Sequence, residues 1–328
     1  WLTFLLEELE IPVIGFSLPP LEQSLYRRAN RLQKIPEVFG DVRDLDLLKK
    51  TFKEFQPTCV IHMAAQPLVI ESYKDPLLTF DINVLGSANV LEVATTSDSV
   101  RTIACITTDK VYQNNNENQK FLEGDMLRGK DPYSASKVAV ESVIDTWRNL
   151  AKDRNKASVL SFRSGNVIGG GDWADNRLIP DLVRSLVKKE KVFLRNPEST
   201  RPWQHVLDPL NGYLTIGCKL MADKKISPAY NFGPGDESKL TVQQMAEYSC
   251  GQWPGSQGIE VREDKNALPE SGLLWLSSNL AVGELGWFNR FEAKEAIRWT
   301  IEWERESMNS TPLQALDTQI DAFFGVEK

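Results

Sequence analysis

Short apolar runs alternate with amphipathic ones from residue 12 to residue 162, and no other feature narrows the fold as much. Pro12-Val13-Ile14-Gly15-Phe16, Pro36-Glu37-Val38-Phe39, Thr58 to Met63, Val100 to Ile106 and Ala157 to Phe162 read as buried strands. Between them, Leu45 to Phe55 repeats apolar residues at helical spacing behind Asp44, a natural N-cap. Asp75-Pro76 opens another helix, and Val140, Val143, Ile144 and Trp147 stripe a further one. Strand–helix alternation predicts a parallel sheet covered on both faces. Ligands of such sheets sit beyond the carboxyl ends of the strands.

Charge and composition remove several alternatives. The chain has 328 residues and a net charge of −7, so no nucleic-acid surface is expected. Its two histidines are too few for an ordinary metal centre, and its four cysteines are scattered. Free thiols in a reducing cytoplasm are expected. No stretch reads as long and apolar enough for a bilayer, so no membrane partner is expected. The opening Trp1-Leu2-Thr3-Phe4-Leu5-Leu6 lacks a basic flank and runs into Glu7, Glu8 and Glu10, which makes it an amphipathic helix.

Chemistry concentrates after the strands. In Tyr133-Ser134-Ala135-Ser136-Lys137 the tyrosine and lysine stand four apart, on one helix face. A cation beside a phenol favours the phenolate and lowers its pKa. Such a tyrosine takes a proton from a hydroxyl as hydride leaves the same carbon. Alone the spacing is weak evidence, because a partly exposed helix face produces it too. Thr107-Thr108-Asp109-Lys110 closes the strand ending at Ile106, and Arg163-Ser164-Gly165-Asn166-Val167-Ile168-Gly169 follows the next one. Gly169-Gly170-Gly171-Asp172-Trp173 has neither the lysine nor the spacing of a phosphate cradle and reads as a turn. From Arg195 to Val206, arginines suited to bidentate phosphate contact interleave with Trp203 and His205. The polar run from Asn114 to Asn118 reads as a loop near the site.

Together these runs resemble the extended short-chain dehydrogenase/reductase superfamily. The chain looks most like the nucleotide-sugar 4,6-dehydratases, and among those the CDP-glucose 4,6-dehydratases. The resemblance implies an α/β fold with a doubly wound, Rossmann-like parallel sheet and a smaller, interwoven C-terminal substrate domain. It divides the chain into an NAD-binding part, 1–165 with about 203–222, and a substrate part, 166–202 and 223–328. It implies NAD beside Asp41, Val42, Ala64, Ala65, Gln66, Thr107, Tyr133 and Lys137, with Asn83 as a brace. It places Thr108, Asp109, Lys110, Tyr133 and Lys137 in catalysis. Asn166, Arg177, Arg201, Trp203, His205 and Asn231 would surround a nucleotide-sugar such as CDP-glucose. Relatives commonly dimerise through the Tyr/Lys helix, so a homodimer is expected, with Val140, Ile144 and Trp147 either in the interface or against the sheet.

The implied reaction oxidises the glucose C4, removes water across C5 and C6, and returns hydride to C6. Relatives usually carry Asp then Glu where this sequence has Asp109 then Lys110. Asp109 serves as acid if burial raises its pKa, and Lys110 is either a neutral base or a cation for the developing enolate. The rivals are an epimerase, a dehydratase of a GDP-, dTDP- or UDP-sugar, and a non-catalytic nucleotide-binding protein or inactive fragment. Relatives also place a strand and glycine-rich turn before the first helix. This sequence opens on that helix, so a chain that begins inside or just before it, and that holds NAD poorly, is expected.

Overall fold

The computed structural model describes residues 1–115, 119–175, 177–221, 226–262 and 273–325. Residues 116–118 of the expected polar loop lie outside these. In chain order the elements that build the site are α1 (Leu2–Glu8), β1 (Gly15–Ser17), β2 (Glu37–Phe39), α2 (Leu45–Phe55) and β3 (Cys59–His62). Next come α3 (Val69–Lys74), α4 (Pro76–Phe80), α5 (Gly86–Thr96), β4 (Thr102–Ile106), α6 (Pro132–Asp153) and β5 (Ser158–Ser164). The last are α7 (Leu178–Val187), α8 (Leu207–Met221), β6 (Ala229–Phe232), α9 (Ala293–Asn309) and α10 (Pro312–Phe324).

The main sheet runs β6-β5-β4-β3, and every pairing in it is parallel. Alternation along the strands fills both of its faces. Ile103 and Cys105 of β4 and Val159 of β5 join Val90, Leu91, Val140 and Ile144 of the covering helices on one side. Ala104, Leu160 and Phe162 face the other side, with Tyr230, Phe232, Ile297, Ile301 and Trp303. Sheets buried on both faces need such apolar strands. Val140 and Ile144 therefore face the sheet, and Trp147 donates its indole N–H to Glu92, so these three do not form a free outer face.

β1 and β2 pair only with each other and stand apart from β3, so the sheet has a gap there. Two expectations are corrected. β6 belongs to the main sheet although its residues fall within 223–328. The run Pro76–Thr96 is by length and composition apolar enough to cross a membrane. Its apolarity has a packing cause, since Val90, Leu91, Val93 and Ala94 are buried beneath the sheet. The run is interrupted by a π turn, Asp81–Leu85, which carries the buried Asn83.

A second lobe grows from the carboxyl end of β5. Val167–Ile168 pairs with Gln204–His205, and Thr200–Pro202 runs antiparallel to Lys239–Thr241. The glycine run does not cradle phosphate. A side chain at Gly170 would meet the Trp303 ring at 2.0 Å, and Gly171, at φ +89°, sits against Leu25 and donates its N–H to Glu304.

Candidate active site

Helix α6 begins where the sequence dictates. Asp131 caps it by accepting from the Ser134 N–H at 2.9 Å, Ser134 Oγ accepts from the Asp131 N–H in return, and Pro132 occupies the first turn. The Tyr133 N–H, freed by its place in that turn, donates to Ser72 Oγ of α3 at 3.1 Å. Tyr133 is thereby fixed with its side chain 8% exposed at the mouth of the sheet. The π turn supports the same corner. Asn83 Oδ1 accepts the Gln66 N–H, and its Nδ2 donates to Ser136 Oγ, which donates to the Tyr133 carbonyl. π turns often lie at functional sites.

Thr108 stands beside the Tyr133 phenol, where its hydroxyl favours the phenolate. Thr108 Oγ1 in turn donates to Asp109 Oδ1 at 3.0 Å. Asn166, at φ +51°, donates to Asp109 Oδ2 at 3.4 Å. Lys110 is half-buried next to Asp109. Arg177 faces Tyr133 and Arg201 faces Asp109, and each favours the negative form of its neighbour. Thr108, Asp109, Lys110, Tyr133, Asn166, Arg177 and Arg201 thus converge.

Burial dominates the electrostatics. It pushes the Asp109 carboxyl up against the pull of Lys110, Thr108 and Arg201, so the neutral, proton-donating form is favoured. It also pushes the Tyr133 phenol up to about 12. Thr108 and Arg177 oppose that rise, and Lys137 is turned away from the phenol in this arrangement. The Lys137 amine donates to the Ile106 carbonyl at 3.3 Å, facing Cys105 and Glu141, and burial brings its pKa down to about 8.

Other expected residues lie elsewhere. His205 is completely buried, edge-on to Trp1, Phe291 and Trp299, and its imidazole is pushed down to about 3 by burial. Trp203 is a core side chain. Asn231 is completely buried, accepts from the Tyr112 hydroxyl and donates to the Phe121 carbonyl, which ties its side chain to the interior. Thr107 turns its hydroxyl inward to Glu141. Val42 packs in the core, and Arg43 holds both oxygens of Asp41. Gln66 spends its side chain on Thr79 and the Leu68 N–H. Sequence reasoning missed Gln204, whose amide donates to the Gly165 and Phe232 carbonyls and so fixes the turn that carries Asn166. Its only signal is a polar residue inside an apolar run.

Residues 6–233 match the family described as the NAD dependent epimerase/dehydratase family. A CDP-glucose 4,6-dehydratase of Salmonella typhimurium is 36% identical over 93% of this chain and 87% of its own length. Human dTDP-D-glucose 4,6-dehydratase is 25% identical over 83% of this chain and 75% of its own. A Thermotoga maritima UDP-glucose 4-epimerase solved with UDP-glucose superposes with a TM-score of 0.80 at 18% identity, covering 94% of this chain and 95% of that one. A Bacillus anthracis dTDP-glucose 4,6-dehydratase in complex with NAD gives 0.77 at 18% identity, covering 94% and 92%.

The donor set at the carboxyl edge of the sheet fits the nicotinamide-ribose end of NAD. The phenol of Tyr133 and the amine of Lys137 are available there, beside the half-buried, small Ala64 and Ala65. On the match over most of its length and on the Tyr133–Thr108–Asp109 corner, the chain belongs to the NAD dependent epimerase/dehydratase family.

Proposed function

We propose that the protein is a nucleotide-sugar 4,6-dehydratase whose substrate is CDP-glucose. The observation that carries this reading is the clustering of the Tyr133 phenol and Thr108 with the buried Asp109 carboxyl, to which Thr108 Oγ1 donates at 3.0 Å. An oxidation alone needs the first group. Loss of water needs the last, a buried acid next to the oxidising corner. The 36% identical CDP-glucose 4,6-dehydratase supports the choice of nucleotide.

In this reading NAD, when bound, accepts hydride from C4 and later returns it to C6. Tyr133 takes the proton of the C4 hydroxyl, with Thr108 holding that hydroxyl. Lys137 supplies the needed positive charge by rotating its side chain from the Ile106 carbonyl toward the phenol, one helical turn away. Asp109 gives its proton to the departing C6 hydroxyl. Lys110 lies beside Asp109, where its amine takes the C5 proton as water leaves and returns a proton to C5 as hydride reaches C6. Arg177 and Arg201 face the same corner and suit the diphosphate. The net change is CDP-glucose to CDP-4-keto-6-deoxyglucose plus one water. The working form in this reading is a cytoplasmic homodimer, and its cysteines Cys59, Cys105, Cys218 and Cys250 are free thiols.

The test is product analysis by mass and by carbonyl trapping with CDP-, dTDP-, UDP- and GDP-sugars. Loss of one water from CDP-glucose, with slower or no loss from the others, is expected. A C4 epimer of unchanged mass would overturn the dehydratase reading. Faster water loss from another nucleotide would overturn the substrate.

A further inference from the structure

We infer that the buried Glu141–Arg163 pair is the positioning device that sets the acid-bearing turn against the Tyr/Lys helix. The inference deepens the dehydratase reading and rests on it for its kinetic arm. Glu141 lies on α6 one turn beyond Lys137 and two beyond Tyr133. Its carboxylate is 5% exposed and takes four donors: Thr107 Oγ1 at 2.6 Å, Ser161 Oγ at 2.7 Å, Arg163 Nε at 2.9 Å and Arg163 Nη2 at 2.8 Å. Arg163 completes its fork by donating through Nη1 to the Tyr112 hydroxyl and the Glu123 carbonyl, both at 2.8 Å.

The geometry around the turn gives the pair its role. Asp109 to Val111 form one 3-10 turn. Thr107 precedes that turn and is held by Glu141. Tyr112 follows it and is held by Arg163. The pair therefore grips the Asp109–Lys110 segment at both ends and ties it to the helix that carries Tyr133 and Lys137. Burying two ions for stability alone is poor economy, because an apolar pair of equal volume serves as well. A bidentate pair instead fixes direction and distance, and displacing reacting groups by about 1 Å costs on the order of 10²-fold in rate.

The test compares Tyr112→Phe with Glu141→Gln. Tyr112→Phe keeps the ring stacked on Phe121 at 5.0 Å and removes only the hydroxyl. The first readout needs neither ligand nor turnover: amide hydrogen exchange at Lys110, Val111 and Tyr112, which bond back to Thr108 and Asp109. Exchange at these amides is expected to rise at least tenfold in Tyr112→Phe, with the rest of α6 unchanged. The second readout is kinetic. Reduced cofactor is expected to accumulate, because oxidation persists while water loss slows by about tenfold to 10²-fold. Exchange that is unchanged at the turn, or raised uniformly through the molecule, overturns the inference. So does an equal fall in oxidation and water loss. If the wild type dehydrates no nucleotide-sugar, the functional reading fails, and the exchange result still decides the positioning role. Glu141→Gln should reproduce the pattern, and a variant that melts without it counts against the inference.

Discussion

Gly165 is glycine because Asp109 occupies the space a side chain would take. A Cβ there would lie 2.0 Å from Asp109 Oδ2. Gly165→Ala should push the carboxyl off Thr108 and slow water loss on the order of 10²-fold, at a stability cost of about 1–3 kcal/mol for overpacking. Steady-state dehydration and urea unfolding check the two effects. Unchanged kcat would detach the placement of Asp109 from the chemistry. At this scale the sequence was legible wherever adjacency or helical spacing fixed the neighbours. Asp109 follows Thr108, and Tyr133 heads a capped helix, so both reach one corner. It was not legible where the answer depends on which way a side chain turns. Lys137 shares the helix face of Tyr133 yet sends its amine to Ile106. His205 and Trp203 sit in a motif rich in arginine, but both are buried in the core while Arg201 faces the site.

At the scale of elements, α2 was readable to its limits. Asp44 accepts the Leu47 N–H at its start, and Gln56, at φ 47°, ends it. The π turn at Asp81–Leu85 left no such mark, because it costs no residue type, only a shift in hydrogen bonding. Helix α9 spaces Ile297 and Ile301 four apart and buries both, while α10 opens on Pro312. The inner face of α9 also holds Glu304, which accepts the Gly171 N–H and stands near Arg28. Burial raises its carboxyl from 4.5 to about 7. A raised carboxyl keeps its proton in the folded state while the unfolded chain releases it. Between about pH 4.5 and 7 the unfolded state therefore binds fewer protons, and stability falls as pH rises. Glu304→Gln should flatten that decline in urea unfolding across the window. Part of the slope should persist, because Asp208 is likewise pushed up to about 7 by burial. An unchanged slope would mean that Glu304 ionises in the fold as it does in water.

Across the whole molecule, exposed large apolar side chains recur, and several lie on the run from α4 to α5 and on α6. Leu77 is 83% exposed, Leu85 58% and Phe80 38%, and Leu150 near the end of α6 is 38% exposed. Large apolar side chains gathered on neighbouring helices mark an interaction surface more often than a solvated one. We propose a second copy of the chain as the partner, since a two-fold axis sets one such surface against itself. Val140 and Ile144 are unavailable for this contact because they fill the core beneath α6. The double variant Leu77→Lys, Leu85→Lys would bring four cations to the symmetric contact. It should sediment at half the wild-type mass at micromolar concentration while unfolding at nearly the same urea midpoint, because neither residue contributes to the core. A wild type that sediments as a monomer, or a double variant that stays dimeric, would remove this face from the assembly. Because α6 carries both Tyr133 and Lys137, a dimer built on this face would hold the catalytic helix from outside while Glu141 and Arg163 hold it from within.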